Sequence, residues 1–421
     1  MSEQCIHIWQ SRGLSGEVAV SGAKNAVLVI MASLIMTSGR SRLKNVPRSS
    51  DVYQMIEALR DAGVIVTFYE DEQLLDIDTQ HISGCRVNAN IMKKMRASIL
   101  LMGPLLVRLG RAQVAMPGGC LLGTRPIDLH LRAFKQMGIT ITMDEDEITG
   151  VANNVQGATI VLDYPSVGAT ENIVMLAMAT KKQTRIINAA LEPEVFDLIQ
   201  VLKKMGADIY VEAPGTIVVH GGKELQPVEH EIVADRLEAG TLLLAGAITG
   251  GSVTVTNISA DIMSVFLTKL QEMGHAVSCK NGVSIQATSD PKPVSFKTMP
   301  YPGFPTDLQA PMMAALSCVN GTSHIHETVF ENRMLHAREL QKMGAQITID
   351  GDRATIQGVD ELYGEHVIAT DIRAGAALVL AGLVASGRTT VTGIHHVVRG
   401  YDRLDVKLAQ LGADIEIAHL Q

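Results

Sequence analysis

Aromatic side chains are scarce in this chain: Phe, Tyr and Trp make up 4% of its 421 residues, and there is a single Trp. A platform for stacking nucleic-acid bases needs several rings in register, and Trp9 with the scattered Tyr residues forms none. An excess of cations is also missing, since 36 Lys and Arg stand against 44 Asp and Glu for a formal net charge of −8. That balance excludes a generally basic nucleic-acid binder and a polybasic membrane-surface protein, while leaving room for a local cationic pocket. The five cysteines, Cys5, Cys85, Cys120, Cys279 and Cys318, are odd in number and contain no CxxC pair. Neither a disulfide framework nor a zinc site is indicated, and all but Cys120 fall in strand or helix patterns that read as structural. No uninterrupted apolar run approaches the ~20 residues of a membrane span. The N-terminal stretch with Glu3, His7, Gln10 and Arg12 lacks the apolar core of a signal peptide. The expectation is a soluble protein of a reducing cytoplasm. Walker A, GxGxxG and HExxH motifs are absent, and the acidic run Asp144–Glu147 reads as a solvated turn rather than a metal site.

What the chain has in quantity is aliphatic: 47% of residues are apolar, so Leu, Ile, Val, Met and Ala must build the core. They are arranged in a repeat. Phe134–Gly138, Leu202–Gly206, Leu270–Gly274 and Leu340–Gly344 all end in Met-Gly, with looser copies at Leu59–Gly63 and Leu408–Gly412. The six glycines are 75, 68, 68, 70 and 68 residues apart. Each reads as a helix C-terminus, followed by alternating residues such as Ile139–Met143 and Ala345–Ile349 that predict strands. About half a repeat earlier comes a second helix, apolar nearly all round, with predicted starts near Lys24, Met95, Thr170, Arg236, Thr306 and Asp371. A helix without a polar face is buried on all sides. The expected fold is α/β, with two domains of three units each, every unit about 70 residues long. A solenoid is the alternative arrangement of such a repeat. The polar stretch His220–His230 is the most plausible seam between the two domains.

The buried helices begin with polar residues, which is unexpected for elements so apolar. Ser21 to Asn25 holds Lys24; Arg96, Ser166 with Gly168, Asp235, Asp307, and Asp371 with Arg373 mark the other starts. Free N–H groups and the positive end of the dipole make a helix start a natural anion site. Ordinary capping by Ser, Thr and Asp is the plainer explanation. It leaves the cations unexplained, because Lys and Arg are unfavourable there unless an anion is near. A second cluster runs from Met116 to His130, where Gly118, Gly119 and Gly123 flank Cys120 ahead of Arg125, Pro126 and Asp128. A thiol on such a loop, beside an arginine and near a helix start, is disposed to react, although a lone cysteine is more often inert. Arg333 and Arg399 occupy matching slots between a strand and an amphipathic helix.

These stretches together resemble the UDP-N-acetylglucosamine enolpyruvyl transferase family, from about Ile8 to the C-terminus. The matching parts are 21–25, 95–98, 117–120 through 125–130, 166–170, Asp235–Arg236, 305–307, 327–333, 370–373 and 399–401, in order along the chain. The resemblance implies two inside-out α/β barrel domains, one over 21–233 and the other over 1–20 plus 234–421. It also implies transfer of the enolpyruvyl group of phosphoenolpyruvate to the 3′-hydroxyl of the UDP-sugar, with release of phosphate. Phosphoenolpyruvate and UDP-N-acetylglucosamine are then the partners; no metal or organic cofactor, nucleic acid, membrane or obligate protein partner is implied, and the place of work is the bacterial cytoplasm. Carried over residue by residue, Cys120 is the general acid and the site of fosfomycin alkylation, and Asp307 takes the hydroxyl proton. Lys24, Asn25, Arg125, Arg373 and Arg399 bind phosphoenolpyruvate. Asn25, Arg96, Arg125, Ser166, Gly168, Asp307 and Val329 meet the UDP-sugar, with His130, Asp235, Arg333 and Asp371 in support. Passage through a tetrahedral intermediate implies that the domains close to exclude water. Ile187 departs from the family, which often has Glu there, and an Ile side chain cannot make that acid's contacts. The enolpyruvylshikimate phosphate synthases are the alternative of the same chemistry, though their Gly-Asn-Ala-Gly-Thr stretch is missing. A non-catalytic sensor of UDP-sugars is the alternative of another class.

Overall fold

The computed structural model describes residues 4–87, 96–116 and 127–419, without the side chains of 96–98. Among these the chain divides into two compact units. One comprises residues 4–21 and 234–419, the other 22–87, 96–116 and 127–233. Each has its own core, built on the aliphatic side chains that the composition requires.

The strands of the described residues form six separate mixed or antiparallel sheets, five of four strands and one of three. In the sheet of Thr159–Val161, Gln183–Ile187, Thr216–His220 and Asp208–Glu212, the first pair is parallel and the others antiparallel. The strand His366–Ile368 likewise pairs in parallel with Arg388–Thr392, but the next place is taken by the N-terminal strand Gln4–Trp9, antiparallel to both Arg388–Thr392 and Ile415–His419. Ser15–Val18 then pairs in parallel with Ser252–Val255. The first twenty residues thus supply one strand to each of two sheets in the unit that holds the C-terminus. In the other unit, Glu229–Glu231 at the end of the polar stretch pairs with Arg40–Lys44, so this stretch runs within that unit.

Apolar helices lie where the sequence expects them: Lys24–Ser33, Met102–Leu109, Val167–Leu176, Arg236–Ile248, Gln309–Leu316 and Ile372–Val384. Nearly every residue of Arg236–Ile248 and Ile372–Val384 is buried. Two starts differ from expectation. Arg96–Leu101 and Thr306–Leu308 are 3-10 turns, and the α-helix begins only at Met102 and Gln309. Pro104 and Pro311 explain this, because a proline has no N–H to give and fits an α-helix only in its first turn. The amphipathic helices end as read: Gly138 and Gly344 take φ of 87° and 97°, and the four equivalent glycines are also positive. Cys279 departs from its structural reading, since it lies exposed just past the strand Ala276–Ser278, whereas Cys5 is buried in its strand.

Candidate functional site

In the unit of residues 22–233, Lys24 opens its helix with no side-chain cap before it. Its ammonium is buried and 3.1 Å from a carboxylate oxygen of Asp51, on the helix Ser50–Asp61. The anion that a lysine at a helix start calls for is therefore supplied by the chain itself. Asn25, the next residue, is exposed. Ser166 caps its helix by accepting from Ala169 N at 3.4 Å, a long bond. Gly168 lies over the imidazole of His130: a Cβ built there would sit 3.4 Å from Cε1 and 3.6 Å from Nε2.

Burial pushes the pKa of His130 down to about 4, so the ring is neutral at physiological pH. Its Nδ1 accepts from Asn172 Nδ2 at 3.1 Å, which leaves the proton on Nε2. Asn172 is itself held at three points, since Nδ2 also donates to Ile99 O at 2.9 Å and Oδ1 accepts from Gly103 N at 2.9 Å. A side chain at Gly103 would strike Asn172, because its Cβ would lie 2.5 Å from Oδ1. The sequence singled out His130 and the start of the helix around Asn172; nothing in it pairs the two. Ile187 ends the strand Gln183–Ile187 and is half-buried. Cys120 and Arg125 lie outside the described residues, as does the side chain of Arg96.

The unit of residues 4–21 and 234–419 gathers the predicted charges more tightly. Asp307, in the turn Thr306–Leu308, accepts from Arg333 Nη2 at 2.6 Å through Oδ1 and from Arg373 Nη2 at 2.9 Å through Oδ2. Both arginines are buried, at 3% and 4% exposure, so two buried guanidiniums bracket one half-buried carboxylate. Arg333 Nε and Arg373 Nη1 are buried without a hydrogen-bond partner among the described residues. Such N–H groups are costly to leave unpaired and offer donors to an incoming anion. Arg373 lies over the ring of Tyr401 at 5.3 Å, and Arg333 lies over that of Phe330 at 5.4 Å. His336, its pKa pushed by burial to about 4, donates from Nδ1 to Arg333 O at 3.2 Å.

Asp371 and Asp235 prove to be caps. Asp371 Oδ1 accepts from Arg373 N at 2.8 Å and Ala374 N at 3.1 Å, while Asp235 Oδ1 accepts from Leu237 N at 2.8 Å and Glu238 N at 3.2 Å. Both therefore make the cap bonds that their positions at a helix start predict. Val329 is half-buried in the turn after the strand Thr322–His326. Arg399 is half-buried in the short helix His395–Gly400. The sequence offers no sign of one further buried network: Ser21 Oγ donates to Asp402 Oδ2 at 2.6 Å and accepts from Lys407 Nζ at 3.0 Å, and Lys407 also pairs with Glu238. Burial pushes the Glu238 carboxyl up to about 8 against the attraction of Lys407.

A carboxylate fixed between guanidiniums with spare donors suits acid–base work on an anionic substrate, and comparison with known proteins agrees in class. The chain belongs to the EPSP synthase (3-phosphoshikimate 1-carboxyvinyltransferase) family, which it matches over residues 8–408. Among curated relatives, UDP-N-acetylglucosamine 1-carboxyvinyltransferase 2 of Carboxydothermus hydrogenoformans is 48% identical over 406 residues, 96% of either chain. UDP-N-acetylglucosamine 1-carboxyvinyltransferase 1 of Staphylococcus aureus is 47% identical over the same share of each. Of solved structures, the enolpyruvyl transferase NikO from Streptomyces tendae covers the whole of both chains with a TM-score of 0.90 and 26% identity. EPSP synthase from Acinetobacter baumannii, at 18% identity and a TM-score of 0.77, shares the fold.

Proposed function

We propose that this protein transfers the enolpyruvyl group of phosphoenolpyruvate to the 3′-hydroxyl of UDP-N-acetylglucosamine, releasing phosphate, in the first committed step of peptidoglycan synthesis. Near-full-length identity to UDP-N-acetylglucosamine 1-carboxyvinyltransferases carries this reading. In it, Asp307 accepts the proton of the sugar hydroxyl as that oxygen bonds to C2 of phosphoenolpyruvate. The Cys120 thiol delivers a proton to the methylene carbon. Loss of phosphate, with one proton from the new methyl group, then restores the double bond.

A thiol of ordinary pKa ~8.5 is mostly protonated at neutral pH, which suits an acid that must also give its proton up. Lys24, Arg125, Arg373 and Arg399 hold the phosphate and carboxylate, and the spare donors of Arg333 and Arg373 support that assignment. Asn25, Arg96, Ser166, Gly168 and Val329 meet the UDP-sugar, and His130 offers Nε2–H as a neutral donor. The inside-out barrel with three units per domain, bounded at residues 20 and 233, belongs to the same reading; the recurring strand orders support it. So does work in the bacterial cytoplasm without a membrane or protein partner, and among the described residues no helix is long and apolar enough to cross a membrane.

The test is phosphate release from phosphoenolpyruvate with UDP-N-acetylglucosamine, beside shikimate 3-phosphate as control. Release with the UDP-sugar alone is expected; release only with shikimate 3-phosphate, or none, overturns the reading. Cys120→Ala should abolish turnover and Cys120→Asp retain some of it, since a carboxylic acid can also deliver the proton.

A further inference from the structure

Glu327 directly follows the strand Thr322–His326, and its side chain is buried, with the residue 3% exposed. Its carboxylate accepts four hydrogen bonds. Oε1 takes Thr298 Oγ1 at 2.9 Å, Val329 N at 2.9 Å and Phe330 N at 3.2 Å, and Oε2 takes Thr306 Oγ1 at 2.9 Å. Thr298 reinforces the same point, accepting from Thr328 N at 2.9 Å and, through its carbonyl, from Thr328 Oγ1 at 2.6 Å.

These partners sit on both sides of the Asp307–Arg333 pair. Thr306 immediately precedes Asp307, and Phe330 carries the ring against the Arg333 guanidinium. The contacts close a loop: Glu327 to Thr306, along the chain to Asp307, across the ion pair to Arg333, and back through Phe330. The turn that bears Asp307 also borders a cavity of about 120 Å³, lined by Arg236, Tyr301, Pro305 and Leu308 among others. Close packing does not brace the turn on that face, so its position depends more on directed bonds.

We propose that Glu327 is a positioning residue that holds Asp307 in place for proton transfer and keeps the Val329 backbone in register. This rests on the reading of Asp307 as the base. A carboxylate suits the task because every partner is a donor. In Glu327→Gln, an amide turned so that Nε2 faces Thr306 keeps the three bonds on Oε1, and the Thr306 hydroxyl can rotate to accept.

The experiment compares Glu327→Ala, Glu327→Gln, Thr306→Val and Glu327→Ala/Thr306→Val in the full-length enzyme, with kcat per folded site and KM for each substrate. Displacing a reacting group by ~1 Å costs on the order of 100-fold, so Glu327→Ala should lose about that in kcat with little change in KM for phosphoenolpyruvate. Thr306→Val, which removes one bond and leaves Glu327 in place, should lose roughly 10-fold, and the pair should lose less than the product of the two. Glu327→Gln should recover most of the rate. A kcat per folded site within about twofold of wild type in Glu327→Ala and Thr306→Val, or losses that multiply independently, would overturn the proposal. Amide exchange at Val329 and Phe330 gives a readout that needs no turnover: protection should fall in Glu327→Ala, and unchanged protection overturns the grip. A wild-type protein that releases no phosphate counts against the proposed function, while exchange still decides the role of Glu327.

Discussion

Two buried clusters, one in each unit, hold their polar groups by different physics. Around Asp307 the groups are charged: one carboxylate lies between Arg333 and Arg373, with His336 neutral behind them. Around His130 they are neutral, and hydrogen bonding does the work, with Asn172 joining Ile99, Gly103 and His130. The caps follow the same division. Asp235 and Asp371 each accept two backbone N–H groups, whereas Ser166 accepts one at 3.4 Å and Lys24 has no side-chain cap before its helix. Charged clusters fix reacting groups firmly but fail badly when one partner goes, because a buried charge is left unpaired. Neutral clusters fix shape at a smaller penalty per group.

The sharpest way to break this comparison is to remove one member from each side. Asp307→Ala leaves two buried guanidiniums facing each other, and urea denaturation should show a loss of about 3–5 kcal/mol together with loss of turnover. Asn172→Ala strands Gly103 N–H and Ile99 C=O, and the same measurement should show a loss of about 2–3 kcal/mol. If the second variant proves the more costly, the charged cluster is not the more tightly interdependent of the two.

Dependence on pH sharpens the contrast, because His130 in one unit and Glu238 in the other should contribute opposite slopes. Folded His130 has a pKa near 4 and unfolded histidine one near 6.5, so between these values the unfolded chain binds the extra proton. Its contribution is complete above pH ~6.5 and is lost as pH falls towards 4, and His130→Gln should flatten that part of a stability–pH curve. Glu238 works the other way. Its carboxyl is raised to about 8, so the folded chain holds the extra proton, and this contribution is present at low pH and lost as pH rises through 8. Glu238→Gln should flatten the curve between about pH 4.5 and 8; an unaltered slope would show that Lys407 keeps Glu238 ionised throughout. The smallest effect lies at the caps: Ser166→Ala should cost about 0.5 kcal/mol and Asp371→Ala about 1–2 kcal/mol in thermal unfolding.

Much of the fold was legible in the chain because it is encoded locally. Met-Gly marks the ends of the amphipathic helices, and an all-apolar stretch can only be a buried helix when it is this long. The 3-10 turns before Met102 and Gln309 were legible in principle, through Pro104 and Pro311. The N-terminal strand was not: the pattern around Cys5 suggests a strand or a helix, and says nothing of Arg388–Thr392 as a partner. The candidate site divides in the same way. Ser166, Asp235 and Asp371 declare themselves as caps by position. Asp51 beside Lys24 and Asn172 beside His130 carry no mark of their pairing, and Glu327 stood in a recognised stretch without a role.

The sequence by itself determined the elements, the aliphatic cores and the family, because periodicity, capping residues and short ordered motifs act over a few residues at a time. Only the tertiary structure decided which charge meets which: that Lys24 is answered by Asp51, that Arg333 and Arg373 share Asp307, and that Glu327 grips the turn between them. Electrostatic and hydrogen-bond energies depend on distances of a few ångströms and on burial, and neither is a property of separation along the chain.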